Sequence, residues 1–193
     1  MRELKRVPGA PVVHNLITSR AVPEIVTEHG GKPVRTRVGH SFIKETMAES
    51  GAVFGGEHSG HFYFRDFWRA DSGMLAALHT LAALGREPDG TTLSGMLEPF
   101  ERYVASGEIN STVSDQAGTA AAVEAAFDGR DGVRIDHLDG LTVEHRDAPM
   151  WQFNLRPSNT EPLLRLNVEA ADRPTMESIR DEVLAVIRSG GAR

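Results

Sequence analysis

Residues 12–56 read VVHNLITSRAVPEIVTEHGGKPVRTRVGHSFIKETMAESGAVFGG, and the alternation inside this stretch decides the fold. Val12 to Thr18 is a β-rich run, Ala21 to His29 has helical spacing closed by Gly30-Gly31, and Pro33 to Val38 is a second β run. Ser41 is placed to cap a helix whose apolar face uses Phe42, Ile43, Met47 and Ala48 and which ends at Gly51. Ala52 to Gly55 then reads as a buried strand. Short strands alternating with helices imply an α/β layered domain with a mixed, largely parallel sheet, because parallel neighbours need a crossover connection.

Further along, Phe62 to Phe64 reads as a strand or hairpin arm. Asp71 or Ser72 caps a helix that gathers Met74, Leu75, Leu78, Leu81 and Ala82 on one face and stops at Gly85. Gly85 to Gly95 is turn chemistry between two patterned regions, so a domain over residues 1–97 is expected to give way to another over 98–193. The order there differs: strands near 108–113, 133–135, 141–145, 151–155 and 163–168, with a helix over 119–127. A last helix has Asp172 as N-cap and Pro174 in its first turn. Tight turns such as Asp139-Gly140 imply a smaller α+β domain with an antiparallel sheet and helices.

The 193 residues permit one large domain or two small ones, and the absence of cysteine excludes disulfides, thiolate metal sites and thiol nucleophiles. Pro8, Pro11, His14 and Asn15 interrupt what a signal peptide would need as its apolar region, and the greasiest run, Met74 to Leu84, is far short of a membrane span. No membrane partner and a cytoplasmic location are expected. The net charge of −6 argues against binding nucleic acid. Yet residues 1–44 carry eight basic against three acidic side chains, a local +5 that leaves −11 for the remainder. Such a segment is either a solvated basic face or a site for a small anion.

Two segments carry chemistry. In Gly55-Gly56-Glu57-His58-Ser59-Gly60-His61, glycines flank three polar side chains presented from a short loop after a buried strand. A carboxylate, a hydroxyl and an imidazole together suit a polyol. An ordinary glycine-rich turn, or part of a metal site built on His58 and His61, are the other readings. In Arg156-Pro157-Ser158-Asn159-Thr160-Glu161-Pro162, a guanidinium fork and three neutral donors suit a phosphate, and a plain β-turn is the alternative.

Together these two loops, with Thr36-Arg37-Val38-Gly39-His40-Ser41 upstream, resemble the C-terminal half of the α-D-phosphohexomutase (phosphomannomutase/phosphoglucomutase) family. The resemblance implies that residues 1–97 are its third domain and 98–193 its fourth. It implies that Glu57 and Ser59 hydrogen-bond sugar hydroxyls with His61 beside them, and that Arg156, Ser158, Asn159 and Thr160 grip a phosphate. His40 matches a family histidine with a possible proton-transfer role. The implied reaction interconverts hexose 6-phosphate and hexose 1-phosphate through an active-site phosphoserine and a hexose 1,6-bisphosphate, which serves as intermediate and activator, with Mg2+ supporting transfer. The Ser-His-Asn phosphoserine loop and the Asp-Gly-Asp-Gly-Asp-Arg metal loop of that family are both missing here, and Asp128-Gly129-Arg130-Asp131-Gly132 reads as a turn. The expected partners are therefore hexose phosphates and the N-terminal domains of the same enzyme, and the chain alone is expected to be inactive. A stand-alone sugar-phosphate binding or regulatory module is the alternative.

Overall fold

The computed structural model describes residues 1–158 and 161–190. The chain forms two compact units, Met1–Arg102 and Tyr103–Arg193. The first continues past Leu97 to Arg102, whose guanidinium donates to both carboxylate oxygens of Glu28 at 2.6 and 2.5 Å.

The first unit contains helix α1 (Arg2–Arg6), strand β1 (Pro11–Asn15), α2 (Ala21–Glu28), β2 (Lys32–Thr36), α3 (His40–Ser50), β3 (Phe54–Gly56), β4 (Phe62–Phe64), β5 (Ala70–Asp71), α4 (Gly73–Leu84) and α5 (Leu93–Leu97). Its sheet has the order β2-β1-β3-β4-β5. The β1 ladders to β2 and β3 are parallel, and those of β3 with β4 and β4 with β5 are antiparallel. The sheet is thus mixed, with half of its ladders parallel, because the short connections after β3 and β4 allow only hairpin pairing.

Adjacent valines on β1 show how the layers form. Side chains alternate across a strand, so Val12 enters a cluster with Leu4, Ala10, Val26 and Val53, while Val13 enters another with Ile43, Met47, Ala52 and Tyr63. Helices α1 and α2 cover the first face and α3 the second. At Gly55 the approach of α3 is so close that a Cβ would lie 2.9 Å from Met47 Sδ and 3.0 Å from Ile43 Cγ2.

Local details differ from the sequence expectations. Strand β1 ends at Asn15 rather than Thr18, because Thr18 N–H turns back onto Asn15 O at 3.2 Å. Helix α3 begins at His40 after Gly39, whose φ of 131° is accessible to glycine, so Ser41 lies inside the first turn and is not the cap. At α4 the cap is Ser72, which accepts from Leu75 N–H at 3.2 Å, and Asp71 is turned elsewhere. The largest departure is the apolar face of α4. Met74, Leu78 and Leu81 are 77%, 55% and 62% exposed, and none of the residues of α4 is buried. An open apolar cavity of about 760 Å³ lies beside this helix, with Ala77 and Leu81 on one side and Val22, Val26, Phe54 and Phe62 on the other.

The second unit contains β6 (Val104–Thr112), α6 (Gln116–Phe127), β7 (Val133–Asp136), β8 (Leu141–His145), β9 (Trp151–Pro157), β10 (Leu163–Ala170) and α7 (Arg173–Gly190). Its sheet, β6-β10-β9-β8-β7, is antiparallel throughout. One continuous core joins the sheet to the helices through Val123, Phe127, Val143, Phe153, Leu155, Leu166, Val183 and Ile187. Asp115 and Asp172 cap α6 and α7, accepting from Gly118 N–H and Thr175 N–H at 2.8 Å each. Gly140, with φ of 72°, brings the β7–β8 turn against β9: a Cβ there would lie 2.6 Å from Leu155 O and 3.0 Å from Arg156 Cα.

Candidate functional site

In the first unit the parallel strands β1, β2 and β3 run in one direction, so their carboxyl ends fall on one edge of the sheet. Open α/β sheets bind ligands at that edge, where the crossovers leave to opposite faces. Here the segments following those strands bring Asn15, Gly39 and Glu57 together. Asn15 Nδ2 lies 3.5 Å from Glu57 Oε2, and Gly39 N–H donates to the same oxygen at 3.1 Å. The other oxygen, Oε1, accepts from Tyr63 OH at 2.5 Å.

Glu57 is therefore not presented from an exposed loop. Its side chain is only 3% exposed, and its charge is compensated by hydrogen bonds from three elements, as burial of a carboxylate requires. The loop itself is closed by Glu57 N–H to His61 O at 2.9 Å and Gly60 N–H to Glu57 O at 3.0 Å. That closure turns His58, Ser59 and Gly60 outward, where all three are exposed.

Two imidazoles stand beside Glu57. His40, at the start of α3, hydrogen-bonds Tyr63 OH through Nδ1, and its side chain is 62% exposed. His61 bonds through Nδ1 to Asp71 Oδ2 at 2.6 Å. The two rings meet edge to face with centroids 4.4 Å apart. Burial and the Glu57 hydrogen bond push the Tyr63 phenol well above its ordinary range, so it remains a proton donor. Burial raises the Asp71 carboxyl, but the His61 hydrogen bond and the Phe62 N–H at 2.8 Å outweigh it and hold Asp71 below its usual value.

Sequence reasoning singled out His40, Glu57, Ser59 and His61; the contacts above join His40, Glu57 and His61, and Ser59 is exposed on the loop between the last two. It missed Asn15, Tyr63 and Asp71. A polar Asn closing the apolar run Val12-Val13 was the available signal for the first. Nothing local marks the other two, since Tyr63 reads as a strand residue and Asp71 as a cap.

In the second unit Arg156 lies on β9 directly opposite Arg165 on β10. Two guanidinium groups on one face of neighbouring strands repel unless an anion or acid lies nearby. Arg156 Nη1 is 3.9 Å from Asp139 Oδ2, and Arg165 Nη1 is 3.5 Å from Glu108 Oε1. Arg165 Nε is buried with no hydrogen-bond acceptor among the described residues. Ser158 N–H donates to Leu163 O at 2.9 Å, and Gln116 Nε2 braces the same loop by donating to Glu161 O and Leu163 O at 3.2 and 2.9 Å. Asn159 and Thr160 lie outside the described residues. Arg165 is a further cation that sequence reasoning passed over.

No group of three or more His, Asp or Glu side chains suited to a metal ion occurs among the described residues. The site carboxylates Glu57 and Asp71 are each engaged by protein donors. These residues do not fit Mg2+.

Comparison with solved structures gives the class. The chain is similar to the X-ray structure of a phosphoglucomutase/phosphomannomutase family protein from Burkholderia thailandensis, with TM-score 0.81 and 29% identity over 99% of this chain and 40% of that one. Among curated proteins it is 40% identical over 186 residues to a phosphomannomutase of Escherichia coli, covering 96% of this chain and 40% of the relative. A phosphomannomutase of Methanocaldococcus jannaschii is 41% identical over 184 residues, covering 95% of this chain and 39% of the relative. Residues 1–103 match the model of phosphoglucomutase/phosphomannomutase, alpha/beta/alpha domain III, and residues 108–186 that of the C-terminal domain. The chain belongs to the phosphoglucomutase/phosphomannomutase family and comprises its domains III and IV. It spans about 40% of the length of the curated relatives it matches.

Proposed function

We propose that this chain is the sugar-phosphate-gripping half of a phosphomannomutase/phosphoglucomutase, and that it binds hexose phosphates without interconverting them. The observation that carries the reading is the buried Glu57 carboxylate. It ties Gly39, Tyr63 and Asn15 together beneath the paired rings of His40 and His61, and with the exposed Ser59 these side chains can donate to and accept from hydroxyls. In the second unit the Arg156 and Arg165 guanidinium groups, with Ser158, supply what a phosphate needs, and Asn159 and Thr160 follow Ser158 in the sequence.

The nucleophile and the metal belong in this reading to the N-terminal domains, which the family carries and these residues do not include. The residues of this chain would hold the sugar and the non-reacting phosphate, and His40 would move a proton at a sugar hydroxyl. The exposed face of α4, with Met74, Leu78 and Leu81, favours this over a stand-alone module: a patch of that kind marks a contact surface, and the remaining length of the family chain supplies the occupant. A cytoplasmic setting accords with the reading.

The test is calorimetry with mannose 1-phosphate. The intact chain should bind it, Arg156→Ala should weaken binding about tenfold or more, and Arg156→Lys should recover only part because the planar fork is lost. Equal affinity for all three would mean that Arg156 does not hold the phosphate.

A further inference from the structure

The hydrogen bonds behind the two outward-facing histidines fix which nitrogen of each carries its proton. Asp71 is ionised and can only accept, so the 2.6 Å bond requires His61 Nδ1 to be the donor. Neutral His61 then bears its lone pair on Nε2. For His40 the same result follows at one remove. The single phenolic proton of Tyr63 is directed to Glu57 Oε1 at 2.5 Å, so Tyr63 OH accepts from His40 Nδ1–H, and Nε2 of His40 is again the acceptor.

From this we infer that Asp71 and Tyr63 are positioning residues, which hold His61 and His40 as a pair of proton acceptors presented to the ligand's hydroxyl groups. The purpose of the pair rests on the function proposed above; the wiring itself does not. Separate carboxylates anchor the two rings, Asp71 directly and Glu57 through Tyr63. The rings lie edge to face at 4.4 Å, so neither can turn over without disturbing the other. Asp71 has a second bond, from Phe62 N–H to Oδ1 at 2.8 Å, which fixes the carboxylate plane and therefore the aim of Oδ2. Both neighbours thus use the same arrangement: a buried or braced acid, a donor at Nδ1, and a free Nε2. Such a site accepts hydroxyl protons; the phosphate is left to other residues.

The conservative variants separate this role from a structural one. In Asp71→Asn the amide oxygen can still accept from Phe62 N–H, which places the NH2 group against His61 Nδ1. The ring must then accept at Nδ1 and carry its proton on Nε2. Long-range proton–nitrogen NMR of the purified full chain at pH 8 reads this directly from the ring nitrogen shifts. Wild type should show unprotonated Nε2 on both His40 and His61. Asp71→Asn should move His61 to the Nε2–H form and leave His40 unchanged, while Tyr63→Phe should release His40 and leave His61 unchanged. A wild-type His61 protonated on Nε2, or an Asp71→Asn spectrum with His61 unaltered, would overturn the inference. Mannose 1-phosphate should also shift the His61 Nε2 resonance of wild type. Binding by calorimetry without that shift contradicts the acceptor role, whereas no binding at all contradicts the proposed function and leaves the tautomer result to decide the wiring.

Discussion

Gly140 offers the sharpest perturbation of the turn packed against Arg156. Its φ of 72° lies in the left-handed region, where an L residue costs about 1–2 kcal/mol. A Cβ would also stand 2.6 Å from Leu155 O and 3.0 Å from Arg156 Cα. Both are backbone atoms inside β9, a strand paired on both sides, and they cannot move aside as a flexible side chain could. Overpacking of this sort typically costs about 1–3 kcal/mol more, giving about 2–5 kcal/mol in all for Gly140→Ala. Gly129 is the control in the same unit, with φ of 73° and nothing within 4 Å of its Cβ position, so Gly129→Ala should show only the backbone part. The assay is urea unfolding followed by tryptophan fluorescence. Of the two tryptophans, Trp151 is buried in the second unit while Trp68 is 83% exposed, so the change on unfolding reports Trp151. With a urea slope of about 2 kcal/mol per M, Gly140→Ala should lower the midpoint by about 1–2.5 M. If its cost came within about 0.5 kcal/mol of the Gly129→Ala cost, the close approach of the turn to Arg156 would be refuted.

Two other perturbations probe the first unit. Burial holds the His14 imidazole below its ordinary range and outweighs its bond to Asn15 O. The unfolded chain therefore binds the proton more readily, and stability should fall as pH drops through about 6.5, at no more than about 1.4 kcal/mol per pH unit for this group; His14→Gln should flatten the slope between pH 7 and 5 in thermal melts. Leu78→Ser on the exposed face of α4 should change stability by no more than about 0.5 kcal/mol, whereas Ile43→Ala, at a fully buried position, should cost about 2–5 kcal/mol. Comparable losses from the two in chemical denaturation would mean that α4 is covered.

The layered order of the first unit was legible because its signals are local: Val12 and Val13 alternate, Gly30-Gly31 and Gly51 punctuate, and each helix is short enough to carry its own stripe. Legibility failed where a distant group decided the outcome. Glu57 reads as an exposed loop residue because its partners Asn15 and Gly39 lie 42 and 18 positions away. Asp71 reads as an N-cap because it precedes an apolar helix, yet it turns to His61, ten positions earlier. Ser41 wins on capping propensity, but Gly39 alone can take the backbone angle that starts α3. Helix α4 misleads in another way: its residues look like core, and no element of the first unit buries them. Hydrophobicity reports that a face is apolar without naming what covers it.

Phosphorus NMR of glucose 1-phosphate mixed with the purified chain separates gripping from transfer. A chain that grips without transferring gives a broadened 1-phosphate resonance and no 6-phosphate signal after prolonged incubation. A growing 6-phosphate resonance, with host mutase excluded, or a 1-phosphate line that the protein leaves unbroadened, would contradict the proposed function.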